Sequence, residues 1–562
     1  MIIKDAPQAP FISIRLRLPM TIKTLATAPI AGQKPGTSGL RKKTAVFQSP
    51  HFLENYVQSI FDGIGGVAGK RFVIGGDGRF FNRQAIDVIL RMAAANGVAE
   101  CIVGRDGLLS TPAASHLIRL KGTDGGLILS ASHNPGGPNA DFGLKFNGAN
   151  GGPASEAVTE EIYACTQNIE AYEIIEAPAV DLSVEATTTL GDMAVTVIDP
   201  VSDYAELMES LFDFDAIRAM FQGGFRMVFD SMLAVTGPYA KEIFETRLGA
   251  KHGTVINGEP SHDFGGGHPD PNPIWARELM AIMQSDTPPN FGAASDGDGD
   301  RNMITGPHRY VSPSDSLAIL AELAHLAPAY KDGLVGVARS MPTSCAVDRV
   351  AAAKGMESFE TPTGWKFFGN LLDAGRVTLC GEESAGTGSD HVREKDGLWA
   401  VLLWLNIFAA TGKSMDQILA DHYATYGRTY YSRHDYEAVE TKNANALMGA
   451  LRAKLPDLAG EEFNGLRVQT ADEFAYDDPV DGSRSEGQGL RILFEGGARA
   501  VFRLSGTGTE GATLRVYLEK LETAKNKLKA DPQKALANVI AAAETLAEIK
   551  THTGRAAPDV IT

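Results

Sequence analysis

The chain has 562 residues, of which 44% are hydrophobic and 22% are charged, and its formal net charge is −17. This length exceeds what one hydrophobic core can organise, so several domains are expected. The negative charge argues against polyanionic partners, and we predict no binding to nucleic acid and none to a membrane. No run of about 18 apolar residues occurs, and the four cysteines are too widely spaced for a metal site or a disulfide framework. We therefore predict a cytoplasmic location.

The first 27 residues differ from those that follow. Arg15 and Arg17 interrupt their only apolar part, which excludes the hydrophobic centre of a signal peptide. We expect residues 1–27 to form a disordered N-terminal extension. From residue 28 to residue 197, short apolar runs alternate with amphipathic segments, a pattern that predicts an α/β domain. Its predicted strands cover residues 71–74, 100–103 and 126–129, and its predicted helices cover residues 84–95 and 112–120.

The same alternation predicts two more α/β domains, over residues 198–307 and 308–427. The second has predicted strands at 225–229 and 291–294 and a helix over 238–247. The third has strands at 334–338 and 377–380 and a helix over 345–354. Residues 428–562 differ, because strands at 490–494, 498–504 and 512–518 suggest an antiparallel meander closed by a helix over 532–549. We predict three similar mixed α/β domains followed by a C-terminal α+β domain.

A loop after the strand at 126–129 offers a hydroxyl nucleophile. Its sequence, S-A-S-H-N-P-G-G, is rich in turn-forming residues, which would expose Ser132 at the carboxyl end of a strand. Lys145 follows nearby and could serve as an acid or base or as a charge clamp on a phosphate. Taken alone, an ordinary loop serine and a solvated lysine are the commoner interpretations.

A second loop, D-G-D-G-D-R at residues 296–301, crowds three carboxylates together. The intervening glycines let the backbone turn Asp296, Asp298 and Asp300 inward. Such charge density is unfavourable unless a hard cation holds it. An EF-hand is excluded because Arg301 and Pro307 stand where that loop needs Gly and Glu. A magnesium site, paired with a hydroxyl that carries phosphate, suggests phosphoryl transfer through a phosphoserine, whereas the alternative is an acidic solvated turn.

Two further loops favour a phosphorylated sugar as the ligand. Residues 503–509, R-L-S-G-T-G-T, combine an arginine with hydroxyls and free amides, and Arg515 follows on the next predicted strand, which suits a dianionic phosphate. Residues 381–386, G-E-E-S-A-G, offer carboxylates and a hydroxyl for sugar hydroxyls. A plain hairpin turn and a plain polar loop remain the respective alternatives.

Together with K-P-G-T-S-G-L-R at residues 34–41, T-P-T-G-W-K at 361–366 and R-E-K-D-G at 393–397, these loops resemble the α-D-phosphohexomutase family, in the family's order. The resemblance runs from about residue 32 to the C-terminus and is strongest to the members that act on glucose phosphates. It implies four domains around a central cleft. It also implies an isomerase that interconverts glucose 1-phosphate and glucose 6-phosphate through a phosphoserine and glucose 1,6-bisphosphate. One Mg²⁺ per chain and the bisphosphate as activator are the implied cofactors.

The resemblance assigns roles to residues in all four predicted domains. The implied catalytic residues are Ser132, His133, Lys145, Arg41 and Lys395. The implied metal ligands are Ser132, Asp296, Asp298 and Asp300. The implied substrate-binding residues are Thr37, Arg301, Thr363, Gly364, Glu382, Ser384, His391, Arg503, Ser505, Gly506, Thr507 and Arg515. Ser130 departs from the threonine usual in the family and leaves a second hydroxyl beside the proposed nucleophile.

Some alternatives stay open at this point. The substrate could be mannose phosphate, or both sugars, and a non-catalytic protein that carries a phosphoserine as a signal is a more remote hypothesis. The expected partners are small phosphosugars, and we predict a monomer or a weak homodimer. The resemblance also leads us to expect a hinge near Gly427 and Arg428, on which the last domain closes over the substrate.

Overall fold

The first domain is a mixed α/β domain built on a seven-stranded sheet. The computed structural model describes residues 21–36, 38–508 and 511–562, with residues 506–508 as backbone only. The strands of this domain are β1 (Ile22–Ala26), β2 (Leu40–Lys43), β3 (Arg71–Gly76), β4 (Glu100–Leu108), β5 (Gly125–Leu129), β6 (Asp141–Gly148), β7 (Ala171–Ile175), β8 (Thr187–Leu190) and β9 (Met193–Ile198). Its helices are α1 (Thr44–Phe47), α2 (Phe52–Gly63), α3 (Asn82–Ala95), α4 (Thr111–Lys121) and α5 (Glu156–Asn168). The main sheet has the order β2-β6-β5-β3-β4-β9-β8.

The second and third domains repeat this plan on smaller sheets. The second contains α6 (Ser202–Leu211), α7 (Phe214–Gln222), β10 (Met227–Asp230), α8 (Thr236–Ala240), a π-helical turn (Lys241–Arg247), β11 (Val255–Ile256), α9 (Arg277–Met283), β12 (Phe291–Ser295), β13 (Asn302–Gly306) and β14 (Arg309–Val311). The third contains α10 (Pro313–Leu323), β15 (Gly336–Ser340), α11 (Ala346–Lys354), β16 (Glu357–Thr361), α12 (Trp365–Asp373), β17 (Leu379–Gly381), β18 (Thr387–Ser389), α13 (Gly397–Thr411) and α14 (Met415–Tyr426).

The candidate loops occupy the same place in each of these three domains. In each sheet two neighbouring strands run parallel, β3 with β5, β10 with β12 and β15 with β17. The chain then turns back into an antiparallel neighbour, β6, β13 or β18. The connections at these three reversals are the serine loop (residues 130–137), the aspartate loop (residues 296–301) and the G-E-E-S loop (residues 381–386). Because ligands bind beyond the carboxyl ends of strands, this shared topology directs all three loops to one type of site.

The fourth domain is an antiparallel α+β domain, as predicted. Its strands are β19 (Arg428–Val439), β20 (Glu462–Phe463), β21 (Leu466–Glu473), β22 (Tyr476–Asp477), β23 (Arg484–Ser485), β24 (Leu490–Phe494), β25 (Ala498–Gly508), β26 (Gly511–Glu522) and β27 (Val560–Ile561). Its helices are α15 (Thr441–Lys454), α16 (Pro532–Ala535), α17 (Ala537–Ala547) and α18 (Ile549–Thr553). The predicted single helix over 532–549 is therefore wrong. Leu536 and the left-handed Glu548, with φ 47°, interrupt it and divide the segment into three short helices.

The N-terminal extension also differs from the expectation of disorder over residues 1–27. Residues 22–26 form strand β1, which pairs antiparallel with β7 in register Ile22 to Ile175. All five side chains of β1 are exposed, so backbone hydrogen bonds and not apolar burial hold the strand in place. Residues 1–20 lie outside the described part of the chain.

The hydrophobic core consists of several clusters. One runs through the first three domains and includes Val73, Phe229 and most of helix α13, whereas the fourth domain has its own cluster between Tyr430 and Ile549. A smaller cluster joins the third domain to the fourth, and its members are Met341, Phe367, Phe474, Tyr476, Val501 and Tyr517. The chain passes from the third domain into the fourth at Gly427, whose φ of 77° suits glycine. The hinge expected at Gly427 and Arg428 coincides with this junction and stays a prediction.

No single helix in the described ranges is long and apolar enough to cross a membrane. Helices α13 and α14 pass that test only as a pair and are bent by 88° relative to each other.

Candidate active site

The serine loop is held by a buried ion pair beneath it. Asp77 and Arg79 form a fully buried pair at 2.8 Å, and Arg79 Nη2 donates to the carbonyl oxygen of Ser132 at 2.7 Å. Ser130 Oγ donates to Asp77 at 2.6 Å and accepts from the Ser132 amide at 2.7 Å. Ser132 itself has a left-handed backbone with φ 51°, a strained conformation that such surroundings can stabilise. The hydroxyl of Ser130 thus makes hydrogen bonds that support the loop, whereas the hydroxyl of Ser132 is directed at the aspartate loop.

Replacing Arg79 with methionine is expected to cost about 3–5 kcal/mol of unfolding free energy, because it strands the buried Asp77 charge. The four tryptophans, at positions 275, 365, 399 and 404, lie in the second and third domains, and Trp399 and Trp404 share a core cluster with Val73 of the first domain. Denaturant unfolding followed by tryptophan fluorescence therefore measures the loss there. The matched control is Arg83→Met, since the Arg83–Asp106 pair is about half exposed and should contribute less than about 1 kcal/mol. Equal losses in the two variants would contradict this role of the buried pair.

The serine loop meets the aspartate loop directly. Ser132 Oγ donates to Asp296 Oδ2 at 2.9 Å, although the two residues are 164 positions apart. The approach depends on Gly297, because a Cβ at that position would lie 2.4 Å from the Ser132 carbonyl oxygen. Carboxylate oxygens of Asp296, Asp298 and Asp300 lie within 4.8 Å of one another, and all three residues are buried. The nucleophile candidate and a three-carboxylate cluster therefore form one site.

The three aspartates differ in the charged groups that surround them. Burial and the neighbouring carboxylates raise the pKa of Asp296 well above its usual range. Burial also acts to raise the pKa of Asp298, but Lys145 at 3.7 Å and the Thr111 hydroxyl at 2.7 Å outweigh it and lower that pKa. Lys395 Nζ lies 3.0 Å from Asp300. Asp298 and Asp300 thus each have a lysine ammonium nearby, whereas Asp296, beside Ser132, has no lysine contact of this kind among the described residues.

The donor set fits a hard divalent cation. Asp298 Oδ1 and Asp300 Oδ1 are buried and have no hydrogen-bond partner among the described residues. Buried carboxylate oxygens without a partner are costly, and coordination of a metal ion relieves that cost. Oxygen ligands alone, without Cys or His, favour Mg²⁺ or Ca²⁺ over zinc.

The predicted proton-transfer residues His133 and Lys145 carry different charges. Burial and the nearby cations Arg301 and Arg41 lower the pKa of His133 well below its ordinary value, so its imidazole is neutral. Its Nδ1 lies 3.4 Å from Ser132 Oγ. Burial opposes the charge on Lys145, but Glu394 at 3.4 Å and Asp298 outweigh it and raise the pKa of the amine. Lys145 is therefore an ammonium, a proton donor or a charge clamp, and not a resting base.

A cleft continues from the three aspartates and is lined by residues of all four domains. They are Ser38, Lys145 and Pro153 from the first, Asp300 and Arg301 from the second, Thr363, Gly364, Trp365, Glu382, Glu383, Ser384, Glu394 and Lys395 from the third, and Arg503 and Arg515 from the fourth. Glu382 Oε1 accepts from the Gly364 amide at 3.2 Å, which joins the T-P-T-G-W-K loop to the G-E-E-S loop. Burial raises the pKa of Glu382. Carboxylate and hydroxyl groups here can bind sugar hydroxyls.

Two arginines of the fourth domain face the cleft side by side. Arg503 on β25 stands directly opposite Arg515 on β26, and Ser505 stands opposite Thr513. Like charges directly opposite on a sheet are destabilising, so this pair indicates a site for an anion. Thr37 lies outside the described residues, and only the backbone of Gly506 and Thr507 is described, so their predicted roles are not tested by this geometry.

Comparisons with known proteins agree with this arrangement. Family models match each of the four domains: phosphoglucomutase/phosphomannomutase α/β/α domain I over residues 32–173, domain II over 202–308, domain III over 313–426, and the phosphoglucomutase-1 C-terminal domain over 428–559. The chain belongs to the phosphoglucomutase/phosphomannomutase family. The resemblance to α-D-phosphohexomutases and the predicted fold are thereby confirmed.

Relatives match this family member over nearly its full length. A phosphoglucomutase of Rhizobium radiobacter is 58% identical over 96% of this chain and 100% of that protein. The chloroplastic phosphoglucomutase 1 of Marchantia polymorpha is 50% identical over 96% of this chain and 85% of that protein. The open form of the Paramecium exocytosis-sensitive phosphoprotein pp63/parafusin, also named a phosphoglucomutase, superposes with a TM-score of 0.90 at 47% identity. That match covers 96% of this chain and 99% of the other.

One predicted substrate residue of this family member does not reach the cleft. The side chain of His391 is 1% exposed, its Nε2 lies 2.9 Å from Asp396 and its Nδ1 lies 3.1 Å from the Ser389 hydroxyl. Its ring stacks on Trp399 at 5.4 Å. Both ring nitrogens are thus used inside the third domain, and the prediction that His391 binds substrate is wrong. Its place two residues after a strand end resembled that of a loop residue, but the loop folds inward there.

Several residues that serve the site were missed in the sequence. Glu394 partners Lys145, Thr111 holds Asp298, and Asp77 with Arg79 supports the serine loop. Burial acts to lower the pKa of the Arg301 guanidinium, but nearby carboxylates outweigh it and raise that pKa. The largest of these contributions comes from Asp270, which lies 3.8 Å from Arg301. Only Glu394 stood inside a motif, R-E-K-D-G, and could have been found from the sequence. The others act through contacts between segments far apart in the chain.

Proposed function

We propose that this chain is a phosphoglucomutase, an isomerase that interconverts glucose 1-phosphate and glucose 6-phosphate. The observation that carries the proposal is the 2.9 Å contact between Ser132 and the aspartate cluster at the end of a cleft lined by all four domains. Relatives named phosphoglucomutase and the phosphoglucomutase-1 C-terminal domain support glucose as the sugar. The domain boundaries 28–197, 198–307, 308–427 and 428–562 belong to the same proposal. The family models lie inside these ranges, except that the model of domain II extends one residue beyond its range, to residue 308.

We infer that one Mg²⁺ is held by Asp296, Asp298 and Asp300, with Ser132 or its phosphate as a further ligand. Bound there, the ion would offset negative charge on the phosphoryl group in transfer. The unpartnered Asp298 and Asp300 oxygens support this ligand set. Monomeric or weakly dimeric assembly and a cytoplasmic location stay predictions.

In the proposed reaction, phosphorylated Ser132 gives its phosphoryl group to O6 of glucose 1-phosphate. The bond from Oγ to phosphorus breaks, the bond from O6 to phosphorus forms, and the O6 proton is passed on, so that Ser132 regains its hydroxyl. The resulting glucose 1,6-bisphosphate turns over in the cleft, and its 1-phosphate returns to Ser132 as glucose 6-phosphate leaves. Bisphosphate added from outside would phosphorylate Ser132 and act as the activator.

The side chains around the transfer divide into proton carriers and clamps. Lys145, held as an ammonium by Glu394 and Asp298, is placed to protonate an oxygen or to neutralise phosphate charge. The neutral imidazole of His133 is the group beside Ser132 that can accept a proton. Glu382 and Ser384 would hold sugar hydroxyls, and Arg503 with Arg515 would hold the phosphate that is not being transferred. Closure of the fourth domain would exclude water that hydrolyses the phosphoserine.

The direct test is turnover of glucose 1-phosphate, measured as glucose 6-phosphate in a coupled assay, with and without Mg²⁺ and glucose 1,6-bisphosphate. We expect activity that needs both additions. Mass spectrometry after incubation with the bisphosphate should place a phosphoryl group on Ser132. No turnover of either hexose phosphate would reject the proposal. A higher kcat/KM on mannose 1-phosphate than on glucose 1-phosphate would reassign the sugar.

Arg503→Gln is expected to raise KM for glucose 1-phosphate by about 10-fold to 100-fold with a smaller change in kcat. The reason is that one charge-assisted contact to the bound phosphate, worth about 1.5–3 kcal/mol, is lost from both ground and transition states. Steady-state kinetics measure the split. Arg467→Gln is the matched control, because Arg467 is an exposed arginine on β21 of the same sheet. An unchanged KM in Arg503→Gln would count against the phosphate-anchor role.

A further inference from the structure

A row of alternating charges crosses the boundary between the third and fourth domains. Glu383 Oε2 lies 3.0 Å from Arg433 Nη1, and Arg433 Nε lies 3.1 Å from Asp435 Oδ1. Asp435 Oδ2 in turn lies 3.8 Å from Arg515 Nε. The carboxylates of Glu383 and Asp435 are 7% and 5% exposed, so solvent screens these contacts little. We name these four residues the charge row.

The strand register explains why the row is continuous. Arg433 and Asp435 are two residues apart on β19 and therefore project from the same face of the sheet. Asp435 pairs with Arg515 on β26, and Arg515 pairs with Arg503 on β25. Three neighbouring strands thus present Asp435, Arg515 and Arg503 in one line. The carboxylate of Asp435 offsets the repulsion between the two adjacent guanidinium groups.

The two ends of the charge row are the two ends of the proposed substrate site. Glu383 stands between Glu382 and Ser384, the candidate ligands of sugar hydroxyls, and its amide donates to the Thr343 hydroxyl at 2.8 Å. Arg515 is one of the two candidate ligands of the phosphate. A hexose phosphate bound in the cleft would reach both groups from the solvent side, whereas the charge row connects them through the protein. Arg433 provides the step between domains, because its guanidinium lies between a carboxylate of each.

We propose that Arg433 and Asp435 are positioning residues that set the separation between the sugar-binding loop and the phosphate-binding arginines. This inference rests on the proposed function. A ligand that engages both sites at once gains affinity from their fixed separation, which neither half of the ligand feels by itself. The charge row therefore selects an intact hexose phosphate over its parts.

The test compares a whole ligand with one of its parts. Asp435→Asn is expected to raise KM for glucose 1-phosphate by about 10-fold to 100-fold, the loss that a misplacement near 1 Å produces. Competitive inhibition by inorganic phosphate is measured in parallel with Ser132 phosphorylated, so that the arginine pair is the remaining phosphate site. Its inhibition constant should stay the same or fall, because the variant removes a negative charge beside Arg515. Arg433→Lys keeps the positive charge between Glu383 and Asp435 but loses the two-pronged guanidinium, so it should raise KM by a smaller factor and leave the phosphate inhibition constant unchanged.

Two further variants make the result decisive. Glu383→Gln reaches the charge row from the third domain and should reproduce the split even if a substitution in the fourth domain harms folding. Asp477→Asn, which breaks an exposed pair with Arg484 in the fourth domain, is the control that should match the wild type. The inference is overturned if KM stays unchanged in the charge-row variants, or if KM and the phosphate inhibition constant rise together. Failure of the wild type to convert glucose 1-phosphate would instead refute the proposed function itself.

Discussion

Ser132→Ala lowers turnover of glucose 1-phosphate by at least about 10,000-fold, the scale seen when a covalent nucleophile is removed. The expected loss is this large because the Ser132 hydroxyl lies at the point where the serine loop meets the three aspartates. The variant should remain folded, since its backbone carbonyl still accepts from Arg79 and its amide still donates to Ser130. The coupled assay for glucose 6-phosphate, run with Mg²⁺ and the bisphosphate, measures the loss.

The neighbouring hydroxyl provides the control for that experiment. Ser130→Ala removes the acceptor of the Ser132 amide and the donor to Asp77, so a loss of about 10-fold to 100-fold from misplacement is expected. Ser132 should still be labelled by glucose 1,6-bisphosphate in this variant, as detected by mass spectrometry. Labelling at position 130 in Ser132→Ala, with turnover retained, would show that the nucleophile has been assigned to the wrong serine.

The second large expected effect is that removal of divalent metal abolishes turnover of glucose 1-phosphate and that added Mg²⁺ restores it. Four buried carboxylates, those of the three aspartates and Glu394, lie near the transferring group, and without a divalent cation they repel phosphate. Asp298→Asn should lower kcat by about 1,000-fold or more, comparable to the loss of a main electrostatic stabiliser. It should also weaken Mg²⁺ binding, measured by calorimetry on protein stripped with a chelator.

The control for this prediction is an exposed aspartate of the same domain that is not part of the cluster. Asp286 is exposed in the loop after α9, and Asp286→Asn should keep the wild-type rate and Mg²⁺ affinity. Full turnover by chelator-treated protein, shown by elemental analysis to hold no divalent metal, would refute the metal requirement.

The sequence predicted the three-domain pattern because buried parallel strands are short apolar runs with turn residues at their ends. The strand predicted at 126–129 is observed as Gly125–Leu129, and the one at 490–494 is observed with the same ends. Strand β1 escaped prediction because its sequence, I-K-T-L-A, does not alternate between apolar and polar residues, and none of its side chains is buried. The break between α16 and α17 escaped prediction because leucine is a good helix former, and nothing in the sequence marks Leu536, which is buried in the core of the fourth domain, as a break.

The candidate site was predictable where a motif carries its own chemistry. Ser132 and the three aspartates stand in loops whose composition is unusual by itself. The partners of those groups were not predictable, because Asp270, Thr111 and Arg79 are ordinary residue types that gain a role only through tertiary contacts. His391 shows the opposite error. It lies close to Lys395 in the chain, but the carboxylate of Asp396 and the ring of Trp399 hold it inside the domain.

Strand β1 has a practical consequence for anyone who shortens this chain. It is the sole described strand partner of β7, and a truncation beyond Ala26 would leave the backbone groups of β7 that face β1 without a strand partner. An open strand of that kind can recruit a strand from a second molecule. Recombinant versions that begin after Ala26 should therefore self-associate more readily, even though every residue that lines the cleft is retained.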